Sequence, residues 1–499
     1  MSVPVVDTVL LRALRADFEA STFTVDAVSD LLGEAAHAAL HREQRVPALR
    51  RARHSQSTLA TVIRLFVLGD EVATAQVEAA FAQTTVPGLR QLGLIEGDDF
   101  LRATVQIQPH EATFTDQVTR WWVASDLGEA LSGEAPGNDH VLGIGGATRT
   151  LLNLTPRTRV KTALDLGTGC GILALYLAQH ADRVVATDLS VRACEFARFN
   201  AALNEAHIEV CEGSLFEPVA GEQFDLIVSN PPFVITPDTL RDAGLVTYRD
   251  AGQAGDTLVA DVLHGAIEHL TTHGRAFILG NWEVTTGQDW DDHPRAWLTN
   301  QPAHAWVIER ESLAASEYIE MWMRDNATVL TRTPKQREAD YSAWLDDFAS
   351  RSVLNIGLGI IALQKTANTA HQRFSAIVSS TSANGSYLDR VLSDLAEHNW
   401  RADEEDVFVR ASDVREERHY EPGEPDPQII IATQGDGFGQ RLQLDTDTAA
   451  ALGVCDGELT LGQTITAISV VTGRDREHVA QAVIGRFPDL IAAGMVRRI

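Results

Sequence analysis

The sequence predicts an α/β fold in which a doubly wound, mostly parallel sheet is flanked by small α+β domains. Strand-like and helix-like segments alternate between Lys161 and about Lys365, and helix-rich segments without this alternation lie on either side. The length of 499 residues exceeds what one hydrophobic core normally supports. Several domains are therefore expected.

The N-terminal region, residues 1–110, is predicted to be a winged-helix-like domain. Its helical segments LATVIRLFVLGD, TAQVEAAFAQ and VPGLRQLGLI precede a Gly/Asp turn and the alternating residues of EGDDFLRATVQI. The C-terminal region, residues 367–499, is predicted to end in a similar module. There LGQTITAISVVTG and REHVAQAVIGRFPDLIAAG are followed by the short strand MVRRI.

The central region, residues 111–366 with a core at 140–290, is predicted to form the large sheet. Helices are expected after its first, second and fourth strands, as parallel pairing requires. The last strand is too short to span a bilayer and is rich in β-branched residues, so it is predicted to be buried. The predicted strands are KTALDLG, RVVATD, IEVCEG, FDLIVSN, RAFILG, AWVIER and NIGLGIIALQ.

Composition narrows the classes of partner and compartment. A net charge of −28 opposes a large nucleic-acid footprint, because an acidic surface repels phosphates. The four cysteines form no CxxC pair, which favours a reducing compartment and gives no indication of a metal site. No secretory signal or membrane-spanning run is found in the sequence. We therefore expect a cytoplasmic protein without membrane association.

The ends of the first two central strands carry groups suited to a nucleoside ligand. Asp165 begins the stretch DLGTGCG, in which Gly167, Gly169 and Gly171 let the backbone turn sharply and approach a ligand without a Cβ in the way. The second strand ends at Asp188, whose carboxylate can accept hydrogen bonds from both hydroxyls of a ribose. Ligands of open α/β sheets bind at this edge.

The fourth strand ends in SNPPF. Two prolines cannot donate to a sheet, so the strand must stop and Asn230 is presented on a stiff turn made by Pro231 and Pro232. Phe233 then offers a ring face on which a planar base or amide can lie, worth ~1–3 kcal/mol for a stacked base.

Taken together, LDLGTGCG, TD and SNPPF resemble the class I S-adenosylmethionine-dependent methyltransferases, and within them the N-methyltransferases with an Asn/Asp-Pro-Pro-Tyr/Phe motif. The resemblance covers roughly residues 140–290. It is greatest to the small-domain branch, which includes release-factor glutamine methyltransferases and ribosomal RNA base methyltransferases. It implies a Rossmann-like, seven-stranded methyltransferase sheet and S-adenosyl-L-methionine as the cofactor.

The resemblance also implies roles for individual residues. Asp165 and the three glycines of DLGTGCG would cradle the methionine part of the cofactor, and Asp188 would hold the ribose. The loop from Gly143 to Thr148 would cover the cofactor. Many relatives have an acid that contacts adenine where this chain has Ser214, so Ser214 or a backbone amide would make that contact. The implied cofactor-binding residues are Asp165, Gly167, Thr168, Gly169, Gly171, Asp188, Leu189, Ser214 and Leu215.

The implied catalytic residues are Asn230, Pro231, Pro232 and Phe233. An amide or exocyclic amino nitrogen is a poor nucleophile because its lone pair is delocalised. The Asn230 side-chain oxygen and the Pro231 carbonyl would accept hydrogen bonds from the two N–H groups of this nitrogen. These bonds would favour the pyramidal nitrogen of the transition state. The sequence thus predicts methyl transfer to a nitrogen attached to an sp² carbon.

Three interpretations of the function are left open: two different methyl acceptors and a protein without methyltransferase activity. An amino group of an rRNA or tRNA base is favoured by Phe233, by the flanking modules and by an arginine-rich stretch. Glutamine N5 of a release factor or ribosomal protein is favoured by the acidic surface and by the resemblance. A non-catalytic DNA-binding regulator that senses the cofactor would not need NPPF. The arginines are Arg42, Arg45, Arg50, Arg51, Arg53 and Arg64. The oligomeric state is not predicted.

Overall fold

A computed structural model of the chain describes residues 3–499 except 41, 43, 115–116, 134–136, 138, 243–254, 326–331, 378–383, 397–400 and 436. Within these ranges, no helix has both the length and the apolar character needed to cross a membrane.

The N-terminal region consists of helices followed by a small antiparallel sheet. Strand β3 (Phe100–Ala103) lies between β1 (Val72–Ala73) and β2 (Ile95–Gly97). A helix precedes β1, and two helices separate β1 from β2. This order agrees with the winged-helix interpretation, which stays a prediction. The helices are Thr8–Ala20, Val25–Leu32, Glu34–Leu40, Val46–His54, Thr58–Val62, the π-helix Ile63–Val67, Thr74–Ala80 and Thr85–Gln91.

A hairpin of β4 (Gln106–Phe114) and β5 (Gln117–Ser125) joins this region to the large sheet. The Asn200 side chain accepts a hydrogen bond from the Ala124 amide and donates one to the Ala124 carbonyl, both at 2.8 Å. Asn204 makes the same pair of bonds to Trp122, both at 2.9 Å. Two asparagine side chains thus replace a neighbouring strand and satisfy the buried backbone of β5.

The large sheet has the order β8, β7, β6, β9, β10, β12, β11, β13. All pairs are parallel except those of β12, which runs opposite to both neighbours. The chain therefore reverses its direction of winding between β6 and β9, where a doubly wound sheet forms its ligand cleft. The strands are β6 (Val160–Leu166), β7 (Ala181–Asp188), β8 (Glu209–Glu212), β9 (Phe224–Ser229), β10 (Leu270–Thr285), β11 (Ala303–Ala314), β12 (Val353–Lys365) and β13 (Gln372–Ala376).

Both faces of this sheet are buried. Successive residues of a strand join different apolar clusters: Ala163 and Leu226 pack on one face, while Leu164 and Ile227 pack on the other. The first face also contacts the N-terminal helices, so one core continues across both regions. The helices of the central region are Glu129–Ser132, Gly146–Leu154, Ile172–Leu177, Val191–Leu203, the 3₁₀ helix Glu217–Val219, Asp238–Asp242, Thr257–His269, Asp292–Leu298, Ala315–Asp325 and Pro334–Ser350.

The seven predicted strands are all present, but the described part of the chain contains an eighth. Gln372–Ala376 pairs in parallel with β11 and extends the sheet edge. The predicted domain boundary at residue 366 therefore falls between two strands of one sheet, and the boundary at 110 falls inside β4. Short strands with few apolar residues, such as QRFSA, give little periodic signal.

The C-terminal region contains two small antiparallel sheets. Its last sheet places β14 (Val407–Arg410) between β18 (Asp456–Thr460) and β19 (Val496–Arg498). Unlike in the N-terminal sheet, the middle strand β14 precedes the three helices Thr446–Gly453, Leu461–Thr472 and Arg476–Ala492 along the chain. The second sheet consists of β15 (Arg415–His419), β16 (Ile429–Thr433) and β17 (Arg441–Leu444). The helices are Gly385–Ala396, Thr446–Gly453, Leu461–Thr472 and Arg476–Ala492.

Candidate functional site

A cavity of about 1490 Å³ lies at the carboxyl ends of β6, β7 and β9. This volume exceeds the ~300–1,000 Å³ of a pocket for one small ligand, so it can hold a cofactor and part of a second molecule. Eleven of the thirteen predicted site residues line it: Gly167, Thr168, Gly169, Asp188, Leu189, Ser214, Leu215, Asn230, Pro231, Pro232 and Phe233.

Two of the three glycines form an open cradle. Gly167 and Gly169 have φ angles of +75° and +55°, and no described atom lies within 4 Å of the point where a Cβ would sit. Side chains there would project into the space that a ligand needs. Gly171 has a different role: its Cβ position is 3.1 Å from the Ala197 Cα, and it does not line the cavity. Close packing of two helices explains this glycine.

Asp165 lies beneath the glycine loop rather than on the cavity wall. Its Oδ2 accepts from Thr168 Oγ1 at 2.6 Å and from the Ala174 amide at 3.0 Å. Its Oδ1 is buried and has no hydrogen-bond partner among the described residues. Burial raises the pKa of Asp165 from 3.8 to about 7. A nearby cationic ligand would favour its ionised form.

Asp188 ends β7 and connects two loops of the site. One carboxylate oxygen accepts the Gly169 amide and the other accepts the Ser190 amide, each at 2.9 Å. Burial raises the pKa of Asp188. A carboxylate offers about four lone-pair sites, so the group can still accept a ribose hydroxyl.

The NPPF segment lies directly beside this cradle. β9 is held at its end by Ser229, whose hydroxyl donates to the Leu166 carbonyl at 2.9 Å. Asn230 then donates its Nδ2 to Thr148 Oγ1 at 3.3 Å. That bond leaves the Asn230 Oδ1 as an acceptor for an incoming N–H. Phe233 is half-buried and lines the same cavity.

A buried ion pair beside the cavity was not predicted. Arg192 Nε donates to Asp126 Oδ2 at 2.9 Å, and its Nη2 bonds the other oxygen. The same Oδ2 accepts the Val141 amide at 2.8 Å. The pair thereby links Val141, which lines the cavity, to helix Val191–Leu203.

The residues that form the far wall of the cavity were also not predicted from the sequence. Met321, Trp322 and Arg324 line it from helix Ala315–Asp325, which follows β11. The only sequence signal was the amphipathic stretch YIEMWMRD, which is as typical of a packing helix as of a ligand site. These side chains add an aromatic ring and a cation to the cavity lining.

The arginine-rich stretch divides into two groups. Arg53 and Arg64 both pair with the buried carboxylate of Asp70, and Arg45 donates to the Leu68 carbonyl. Arg50 and Arg51 are exposed and form no ion pair with any residue that the structure describes. The predicted phosphate contact of Arg53 thus competes with a structural pair.

The central segment matches a known family. Residues 142–288 fit the family model described as Methyltransferase small domain, and residues 20–105 fit a Domain of unknown function (DUF7059). The first match spans the glycine cradle, Asp188 and NPPF. Residues 142–288 form a class I S-adenosylmethionine-dependent methyltransferase domain. The methyltransferase domain accounts for β6 to β10 of the sheet.

Curated relatives are similar to about a third of this chain. Ribosomal RNA small subunit methyltransferase C of Citrobacter koseri is 37% identical over 138 residues, which are 27% of this chain and 35% of the relative. The protein of the same name from Salmonella newport is 34% identical over 164 residues, 32% of this chain and 43% of the relative. The chain spans less than half the length of these curated relatives.

A solved structure of a ribosomal protein L11 methylase from Lactobacillus delbrueckii subsp. bulgaricus is 20% identical. It covers 42% of this chain and 71% of its own, with a TM-score of 0.22. This similarity is too low to inform the assignment.

Proposed function

We propose that the protein transfers a methyl group from S-adenosylmethionine to an exocyclic amino nitrogen of a ribosomal RNA base. The observation that carries the proposal is the shared cavity. Asn230 and Phe233 line the same space as Gly167, Gly169 and Asp188. An acceptor group at NPPF would therefore meet a cofactor held by the glycine loop.

The residues present fit the cofactor. Gly167 and Gly169 would leave room for its methionine part, Asp188 would accept the ribose hydroxyls, and Ser214 with Leu215 would contact the adenine. The unpartnered, buried oxygen of Asp165 suits the positive charge that the cofactor carries. When bound, the cofactor supplies an electrophilic methyl group on a sulfonium.

NPPF would prepare the nitrogen for attack. The Asn230 Oδ1 and the Pro231 carbonyl accept its two N–H groups, which turns the lone pair out of the base plane and toward the methyl group. Phe233 supports the base by stacking. Formation of the N–C bond would be balanced by cleavage of the bond between the methyl group and sulfur. The methylated nitrogen would then lose a proton to water, and the demethylated cofactor would be the leaving group.

RNA is preferred to protein as the acceptor for two reasons. The similar curated proteins are named as ribosomal RNA methyltransferases, and Arg50 and Arg51 offer exposed cations in the N-terminal region. A ribosomal substrate would place the protein in the cytoplasm. The net charge of −28 favours the second candidate, glutamine N5 of a release factor or ribosomal protein.

Small ribosomal subunits from a strain that lacks the gene provide the test. They are incubated with the protein and S-adenosylmethionine tritiated on the methyl group. We expect label that resists protease, is released by RNase and elutes as one N-methylated nucleoside after digestion. Label released by protease instead would favour the glutamine candidate. If neither fraction is labelled while the protein still binds the cofactor, a non-catalytic regulator would replace the proposal.

A further inference from the structure

The backbone that follows Pro232 is held by side chains from three separate elements. Asn281 Nδ2, on β10, donates to the Phe233 carbonyl at 2.7 Å. The Ile235 amide donates to the Tyr318 hydroxyl at 3.1 Å, and Trp344 Nε1 donates to the Ile235 carbonyl at 3.0 Å. We call this stretch, residues 233–235, the NPPF exit segment.

This arrangement answers a problem that the prolines create. Pro231 and Pro232 have no N–H, so regular ladder hydrogen bonds cannot run on from β9 into the exit segment. Its orientation must be set by other groups. Because buried backbone groups without partners are costly, each of the three side-chain bonds favours one position of the segment.

Tyr318 is central to the arrangement. Its hydroxyl oxygen also accepts from Asn281 Nδ2 at 3.1 Å, so two N–H groups converge on its two lone pairs. The side chains of Tyr318 and Asn281 are fully buried, which strengthens these bonds. Burial also raises the pKa of Tyr318, so the hydroxyl stays neutral at physiological pH.

Tyr318 lies on the helix that forms the far wall of the cavity. One turn later this helix contributes Trp322, whose ring meets that of Tyr318 at a centroid distance of 5.9 Å. Asn281 lies on β10, which pairs with β9 at Ile278 and Ser229. The exit segment is thus tied both to the strand beside NPPF and to the opposite wall.

We propose that Tyr318, together with Asn281, is a positioning residue for methyl transfer. It holds the exit segment so that Asn230 and Phe233 meet the acceptor at the correct place and angle. The proposal rests on the proposed function. Tyr318 does not touch the glycine cradle, so its loss should lower turnover and leave cofactor binding unchanged.

Tyr318→Phe tests the proposal, with Tyr387→Phe as the matched control. Tyr387 is also buried, and its hydroxyl bonds the Ala493 carbonyl in the C-terminal region. In Tyr318→Phe we expect the Ile235 amide to exchange its hydrogen at least ~10-fold faster than in wild type. The three prolines between positions 231 and 237 carry no amide hydrogen, so few other exchanging positions surround Ile235. Overlapping peptides can therefore isolate the exchange of Ile235 by mass spectrometry.

Turnover and binding are measured on the same variants. Tyr318→Phe should lower kcat on small subunits by about 10- to 100-fold, because a displacement of about 1 Å is enough for that loss. Its affinity for S-adenosylhomocysteine should stay within twofold of wild type, and Tyr387→Phe should change none of the three quantities. Unchanged exchange at Ile235, an unchanged kcat, or equal losses in kcat and cofactor affinity would each refute the proposal.

Trp344→Phe gives a second route if Tyr318→Phe does not fold. It removes the donor to the Ile235 carbonyl and should also speed exchange in the exit segment and lower kcat. Failure of this variant to do either would count against the proposal equally. If wild type methylates no acceptor, the proposed function fails, while hydrogen exchange still decides whether these side chains hold the segment.

Discussion

The Gly169 amide donates to the carboxylate of Asp188 at 2.9 Å. This bond links the loop after β6 to the end of β7, so the parts of the cavity that are proposed to hold the methionine and the ribose of the cofactor are positioned together. It also means that Asp188 has a structural bond besides its proposed contact with the cofactor.

Asp188→Ala should weaken cofactor binding by ~1.5–3 kcal/mol, the usual loss for hydrogen bonds to a charged group. Isothermal titration with S-adenosylhomocysteine measures this loss. Asp182→Ala is the control, because Asp182 lies near the other end of β7 and its carboxylate is half-exposed. If the two variants bind equally well, the assignment of the ribose site to Asp188 is wrong.

Gly169→Ala and Gly171→Ala should fail in different ways. Both positions have positive φ, so alanine costs ~1–2 kcal/mol of stability at each. At Gly169 the new methyl group enters the cavity and should lower cofactor affinity about tenfold. At Gly171 it meets the Ala197 backbone and should lower Tm further, with little effect on affinity. Thermal melts and cofactor titrations separate the two losses, and the reverse pattern would contradict this distinction.

The elements with strong periodicity could be predicted from sequence. NIGLGIIALQ and FDLIVSN form strands because their nearly continuous apolar runs suit central strands that are buried on both faces of the sheet, whether antiparallel (β12) or parallel (β9) to their neighbours. The glycine loop and NPPF could be predicted from sequence because glycine permits, and proline restricts, particular backbone conformations. These features are local, and the winged-helix interpretation and the residue roles remain predictions.

The missed features depend on contacts between distant residues. Asp126 and Arg192 are 66 positions apart, and neither lies in a motif that would suggest a buried pair. Tyr318 and Asn281 carry no signal in their own segments, since their role arises only when the helix packs against β10. Sequence periodicity reports which face is buried but not which polar groups meet there.

Asp165→Asn should remove part of the pH dependence of stability. The Asp165 carboxyl has a pKa of about 7 in the folded protein and near 3.8 in the unfolded chain. Between pH 3.8 and about 7 the folded state therefore holds a proton that the unfolded state has lost. The free energy of unfolding of wild type should therefore fall as pH rises from about 4 to 7, by up to ~1.4 kcal/mol per pH unit from this group. Above pH 7 the effect should level off.

Urea melts of wild type and Asp165→Asn across pH 4 to 8 provide the measurement. The difference between the two curves isolates Asp165 from other buried acids such as Glu309, whose pKa is also about 7. Parallel curves would mean that Asp165 is already ionised at low pH in the folded protein.

Arg50 and Arg51 should affect RNA binding without affecting stability. If they contact phosphates, replacing both with alanine should lower the salt slope of RNA binding by roughly one unit per lost contact. Arg64→Ala is the comparison: it breaks the pair with buried Asp70 and should lower Tm. Filter binding at several salt concentrations measures the slope. An unchanged slope in the double variant would favour a protein glutamine as the methyl acceptor.

Asn230 should affect chemistry but not cofactor binding. Its Oδ1 is proposed to bond the acceptor nitrogen most strongly when that nitrogen is pyramidal, and contacts made only in the transition state appear in kcat. Asn230→Ala should therefore keep cofactor affinity near that of wild type and lower kcat about 10²–10³-fold, the usual scale for one preorganised polar contact. The variant also loses the bond to Thr148.

Thr148→Val separates that loss from the loss of the acceptor oxygen. It removes the hydroxyl that holds the Asn230 amide but keeps Oδ1, so kcat should fall much less than in Asn230→Ala. Rates on purified small subunits at saturating cofactor, together with titrations of S-adenosylhomocysteine, give both quantities for each variant. If Asn230→Ala retains full activity on the true acceptor, NPPF does not act as proposed. If Thr148→Val loses as much activity as Asn230→Ala, orientation of the amide matters more than the oxygen itself.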